Sequence, residues 1–307
     1  MKTGILSQLS PFNQLVFSLL LTLSSVLIIF FIAVLLAIPL FHVNLFINIT
    51  LLSDYSNPVN IAMLKYLQII QSFGLFIFPP LLAGYFFENN CLSFVRLNKS
   101  STGIIYLITF ALMFAALPLI NWMVTVNEMM KLPVSLKGME EWMQAAEQEA
   151  AKLTAVFLNV KSPGGFLVNM LMIAILPAIG EELMFRGLIQ RLLKDWLKNI
   201  HVAVFISALL FAAMHLQFYG FLPRMALGVL FGYLFYWTGT LWVPIFAHFV
   251  NNAAAVIVSY MSQTGTIKGN YENFGSTENA GYLIASLAVG GILLFLIYRF
   301  RYLKLYR

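Results

Sequence analysis

Residues 12 to 40 contain no Asp, Glu, Lys or Arg. A run this long and apolar restricts the fold sharply. In hydrocarbon only a helix or a closed barrel satisfies its own backbone. No strand-period alternation of the barrel type appears along the chain. Seven more apolar runs follow the first, so the sequence is read as an all-α polytopic bundle of about eight transmembrane helices, each needing about 20 residues. The composition agrees. Of 307 residues, 61% are hydrophobic and 10% charged, whereas soluble domains carry about 25% charge.

The spans are placed at residues 12–40, 61–87, 103–126, 166–190, 200–216, 221–237, 241–260 and 281–298. The fifth and sixth are short. The whole chain, 1–307, reads as one membrane domain. Lys2 is the only early positive charge, and the first run exceeds a signal-peptide core. A retained first helix is therefore expected. Cys91 is the single cysteine, which rules out an intrachain disulfide.

The net charge of +6 does not point to nucleic acid, because the basic residues sit at helix ends. They report topology instead. With both termini inside, the inner segments carry ten Lys and Arg and the outer segments six. Four of those six share one long loop with five glutamates. Both termini are expected in the cytoplasm, in a bacterial cytoplasmic membrane.

That long loop, 127–165, has Met139, Trp142, Met143, Ala146, Ala150, Leu153 and Phe157 at helical spacing. Such a pattern suits an amphipathic helix on the outer surface or a plain solvated loop helix. Arg191, Lys194 and Lys198 suit the inner headgroups. Residues 262–279 read as a polar, flexible loop. Gly228 and Gly232 form a Gly-x-x-x-Gly pair, read as close packing within the bundle.

The chemistry concentrates in Glu181-Glu182-Leu183-Met184-Phe185-Arg186, deep in the fourth run. Ionisable groups at membrane depth are costly and face a bundle interior or a wet cavity. Glu182 and Arg186 are four apart and share a helix face. Glu181 is turned about 100° away and is left for another partner. A buried carboxylate suits a general base; a structural ion-pair network is the competing account. His215 and His248 also fall inside apolar runs, whereas His42 and His201 fall at helix ends. His248 and Asn252, at i and i+4, present two polar tips that suit either an oxyanion or interhelical hydrogen bonding. Asn251 points elsewhere. With the fourth span ending at Gln190, Glu181 lies about 10 Å from the inner face and His215 roughly 20 Å, at different depths.

Glu-Glu-x-x-x-Arg at Glu181 to Arg186, Phe-x-x-x-His at Phe211 to His215 and His-x-x-x-Asn at His248 to Asn252 occur in that order. Together they resemble the CPBP family, the type II CAAX prenyl proteases and bacteriocin-processing intramembrane proteases. The resemblance covers about residues 166 to 260, the expected catalytic core, flanked by 1–126, the loop at 127–165 and a last helix with a basic tail at 281–307. It implies an all-helical bundle with a polar intramembrane cavity. It implies that Glu181 activates water with help from His215. His248 and Asn252 would hold the oxyanion, supported by Glu182 and Arg186.

The expected partners are a membrane-associated peptide or protein substrate and the bilayer. No cofactor is expected; a Glu, two His and an Asn could in principle hold a divalent metal, so a zinc protease is the disfavoured alternative. There is no His-Glu-x-x-His, and a catalytic zinc normally takes three firm ligands. Two rival functions stand beside the protease: a non-catalytic immunity or scaffold protein, and a proton-coupled transporter. The transporter reading fits less well, because the polar residues crowd into one half without internal symmetry.

Overall fold

The computed structural model describes residues 4–267 and 279–305, with side chains to residue 300. Every described regular element is a helix, as backbone satisfaction in lipid demands. We label them α1 (Pro11–Phe41), α2 (Pro58–Glu88), α3 (Gly103–Ala115), α4 (Leu117–Met129), α5 (Lys137–Leu158), α6 (Pro163–Leu197), α7 (Ile200–Ala213), α8 (Phe221–Thr238), α9 (Trp242–Gln263) and α10 (Ala280–Leu305).

Six of these are long and apolar enough to cross a membrane, and α3 with α4 makes a seventh if that pair, bent by 42°, is one span. Pro118 lies at the bend, where a missing N–H breaks the helical ladder. The protein is thus an all-α, multi-pass membrane bundle. α9 is its axis, more than half buried in the bundle, whereas α1 and α10 are mostly exposed. Those outer helices turn Leu19, Leu27, Ile284 and Ile292 outwards, as lipid-facing surfaces should.

Two span boundaries need correction. The fourth span does not end at Gln190 but continues as helix to Leu197. The fifth is shorter than expected: α7 stops at Ala213, before His215, and is too short to cross alone. The first change removes the mismatch in depth. At about 1.5 Å per residue, Glu181 stands roughly 24 Å from Leu197, and His215 roughly 22 Å from Ile200. α6 and α7 start back from the same turn, so both residues reach one level. Most of the loop expected at 262–279 lies outside the described residues.

Phe12 packs on Trp196 at 5.1 Å, and Tyr298 on Trp237 at 5.5 Å. The first and last helices therefore begin and end at the same face, the one carrying Arg96, Arg191 and Lys194. At the opposite face lies α5, the amphipathic helix. Tyr55 donates to Glu149, Tyr219 N donates to Glu147 Oε2 at 3.3 Å, and Trp142 packs on Phe218. Lys65 Nζ and Asn169 Nδ2 donate to the Phe157 carbonyl at 3.0 and 2.7 Å, which anchors the end of α5.

Candidate active site

α6 is not a uniform helix. It passes through wider π turns at Met170–Ile175 and again at Leu183–Gln190. Such turns recur at functional sites. Between them sits Pro177, which has no N–H for the carbonyl four residues back, Ile173. Asn252 Nδ2 supplies the missing donor at 3.1 Å. Gly180 lets α2 close in beside the glutamates: a Cβ there would stand 2.8 Å from Cβ of Phe76.

Glu182 and Arg186 pair as their spacing predicts, Nη1 to Oε1 at 2.9 Å, 0% and 1% exposed. A buried pair offsets its desolvation only with good geometry and further hydrogen bonds. Both partners have further bonds, while Glu182 Oε2 and Arg186 Nε stay buried without one. Arg186 Nη2 donates to the Gly228 carbonyl at 3.1 Å. Its guanidinium lies 4.8 Å from the Phe211 ring centroid and 5.5 Å from that of Phe231. Glu182 Oε1 also accepts from His248 Nδ1 at 3.0 Å.

His248 thereby stands between the two glutamates. Its Nε2 is 3.8 Å from Glu181 Oε2. Glu181 makes no hydrogen bond among the described residues, and its Oε2 is buried. Phe231 stacks on the imidazole at 5.2 Å. Oε2 of Glu182 is buried and unbonded too, so what sets Glu181 apart is that neither of its oxygens takes a hydrogen bond among the described residues, whereas Oε1 of Glu182 takes two.

His215 follows the last turn of α7 and bonds through Nδ1 to the Phe211 carbonyl at 2.8 Å. A carbonyl only accepts, so Nδ1 carries the hydrogen and the neutral ring keeps its lone pair on Nε2. Glu181, His248 and Arg224 are close enough to act on its charge. The structure thus brings Glu181, Glu182, Arg186 and His248 together directly and sets His215 within electrostatic reach. Asn252 forms the wall beside them. One amide hydrogen is committed to Ile173, and its Oδ1 accepts from Asn251 Nδ2 at 3.1 Å. The second amide hydrogen remains available to a ligand.

Sequence reasoning missed several contributors. Phe211 enters the sequence reading only as the start of Phe-x-x-x-His; what that reading missed is that it holds His215 by its carbonyl and faces Arg186 with its ring. Gln190 donates to the Gly232 carbonyl at 3.1 Å, one helical turn beyond the Arg186–Gly228 bond. The Gly-x-x-x-Gly pair packs closely, as read: a Cβ on Gly228 would sit 2.9 Å from Ala208. It also bares two carbonyls that Arg186 and Gln190 use, and the matching four-residue spacings were the available signal. Arg224 is held by Gln217 and feels the charge of Glu181. It lines a groove of about 670 Å³ beneath α5, together with Glu128, Glu140 and Glu147. Among the described residues, no three His, Cys, Asp or Glu side chains are grouped to hold a metal ion.

Residues 163–254 match the model of a protein family described as Rce1-like, type II CAAX prenyl endopeptidase. Two curated proteins of Bacillus subtilis (strain 168) are similar. One, "Uncharacterized protein YpbD", is 32% identical over 89 residues, 28% of this chain and 42% of that protein. The other, "Putative membrane peptidase YdiL", is 33% identical over 105 residues, 31% of this chain and 43% of that protein. The chain thus spans under half the length of these curated relatives. No solved structure matches it.

Proposed function

We propose that this chain, a member of the type II CAAX prenyl endopeptidase (Rce1-like) family over residues 163–254, is an intramembrane endopeptidase that uses a glutamate base. One observation carries this reading. Of two adjacent buried carboxylates, Glu182 is tied to Arg186 and His248, whereas Glu181 is unbonded and faces a histidine. The division gives one carboxylate a structural duty and leaves the other for proton transfer.

In the proposed reaction Glu181 takes a proton from water, which attacks the scissile carbonyl. His215, with its Nε2 lone pair aimed away from Phe211, orients that water. His248 and the free amide hydrogen of Asn252 steady the oxyanion. The proton then passes to the leaving amine. Phe211, Phe231 and Phe185 keep the Arg186 end of the site dry, which strengthens these interactions.

The substrate is a membrane-associated peptide or protein. A prenylated C-terminal segment is one candidate class, which the family name supports. The basic face is the cytoplasmic one on the positive-inside rule. Cleavage of a membrane-anchored peptide by the purified full chain in detergent tests the reading. Loss of cleavage in Glu181→Gln supports it, and retained cleavage overturns it. A strong chelator should leave the wild type active; loss restored only by added metal would replace the glutamate mechanism with a metal-dependent one.

A further inference from the structure

A basin of about 270 Å³ opens at the basic face, between the turn that follows α2 and the end of α6. Arg96, Lys99, Arg191 and Lys194 line it, and Asp195 is the one carboxylate in its lining. Arg191 is already engaged: it pairs with Glu88, donates to the Phe94 carbonyl and lies over the Phe94 ring. Among the described residues, no carboxylate forms an ion pair with Arg96, Lys99 or Lys194.

The wall that bears Arg96 and Lys99 is built rather than loose. Leu241 N donates to the Arg96 carbonyl at 3.3 Å, Thr240 Oγ1 to the Lys99 carbonyl at 2.6 Å, and Trp242 Nε1 to the Leu97 carbonyl at 2.9 Å. Arg96 itself has φ of 62°, a left-handed conformation that a non-glycine residue holds only when its surroundings enforce it. The opposite wall is fixed by Gln190, bonded to Gly232. Scattered basic residues at a helix end need no ligand to explain them. Four cations share one concavity with a single carboxylate, Asp195; three of them form no ion pair among the described residues and two stand on a pinned turn, so the lining keeps a net positive charge that an anion would offset.

We propose that this basin binds a phosphate group of net negative charge, supplied by the headgroup of an anionic phospholipid. Arginine matches phosphate oxygens with a planar fork, and lysine adds compact charge. The place of the basin at the end of membrane-crossing helices favours a lipid source over a soluble one.

The test is thermal unfolding of the full chain in detergent, with phosphatidylglycerol, phosphatidylcholine or inorganic phosphate added. A ligand that binds only the folded state raises Tm in a saturable way. Phosphatidylglycerol should do so, and phosphatidylcholine, with its charge cancelled, should not. A saturable rise with inorganic phosphate alone would keep the phosphate site and make a soluble phosphate its ligand. The exposed double variant Lys99→Gln/Lys194→Gln should abolish the rise without lowering the unliganded Tm. Arg96→Gln, which keeps the backbone bonds of the turn, should weaken it as a second, independent variant. Lys198→Gln, outside the basin, should leave the rise intact. Equal loss with Lys198→Gln, or no saturable rise with any phosphate, overturns the proposal.

Discussion

His248 donates its Nδ1 hydrogen to Glu182 across 3.0 Å, and that bond decides what the rest of the imidazole can do. Only Nε2 is left to face Glu181, 3.8 Å away. A neutral ring presents a lone pair there, and a protonated ring presents an N–H. An oxyanion role requires the second, so on the proposed reading His248 enters the reaction with hydrogen on both ring nitrogens, and the proton that Glu181 takes from water is left for the leaving amine.

The two glutamates should respond differently to the same substitution. Glu181→Gln keeps size and polarity, so the fold should survive while turnover nearly vanishes. Glu182→Gln leaves the buried Arg186 without its counter-charge, a loss of about 3 to 5 kcal/mol for a buried pair. It should lower yield and Tm. Turnover per folded molecule and thermal unfolding, measured on both variants, separate the effects. Equal behaviour of the two would sink the division of labour.

Asn252→Ala removes two things at once, the bond to Ile173 and the proposed oxyanion donor. Interhelical hydrogen bonds in membranes average about 0.6 kcal/mol, so the loss of stability should be small. A lost oxyanion donor lowers kcat on the order of 100- to 1000-fold with KM little changed. If kcat falls only as far as the folded fraction does, Asn252 is a packing residue.

Pro177→Ala tests why Asn252 sits where it does. Alanine restores an N–H that can pair with the Ile173 carbonyl inside α6 and so compete with Asn252. The variant should fold at least as well as the wild type. Its glutamates should shift in register against α9, and small displacements of reacting groups cost on the order of 100-fold in rate. Full activity in a well-folded Pro177→Ala variant would show that the proline is dispensable to the site.

Orientation can be read from Cys91, which begins the short helix Cys91–Phe94 on the basic face and is partly exposed. An impermeant thiol reagent added outside intact cells should leave it unlabelled until the membrane is opened. Ready labelling from outside would invert the topology and put α5 in the cytoplasm.

The Glu182–Arg186 pair was legible because an i, i+4 relation is local and survives any packing. The insertion of His248 between the glutamates was not, since α9 reaches α6 only in the folded bundle. Its i, i+4 relation to Asn252 suggested two donors aimed at one point, yet Asn252 spends one hydrogen on Ile173. That use was decided by Pro177, whose effect on the carbonyl four residues earlier follows from covalent structure alone. The ends of α6 and α7 were misplaced for a different reason. Hydropathy marks where apolar side chains stop, whereas Leu197 and Ala213 mark where backbone pairing stops.

The early stop of α7 has a consequence for solvent. Residues 214 to 217 run at the level of Glu181 with no regular helix, and Leu216 takes a left-handed φ of 51°. Peptide groups in that state are not tolerated against lipid tails; they need protein partners or an aqueous inlet. Protein partners meet part of that need: Leu216 N donates to the Ala213 carbonyl at 3.1 Å and Arg224 Nη1 to the Gln217 carbonyl at 3.1 Å. On the proposed reading, water that completes the bonding of this segment stands at the level where the second reactant of the hydrolysis is used.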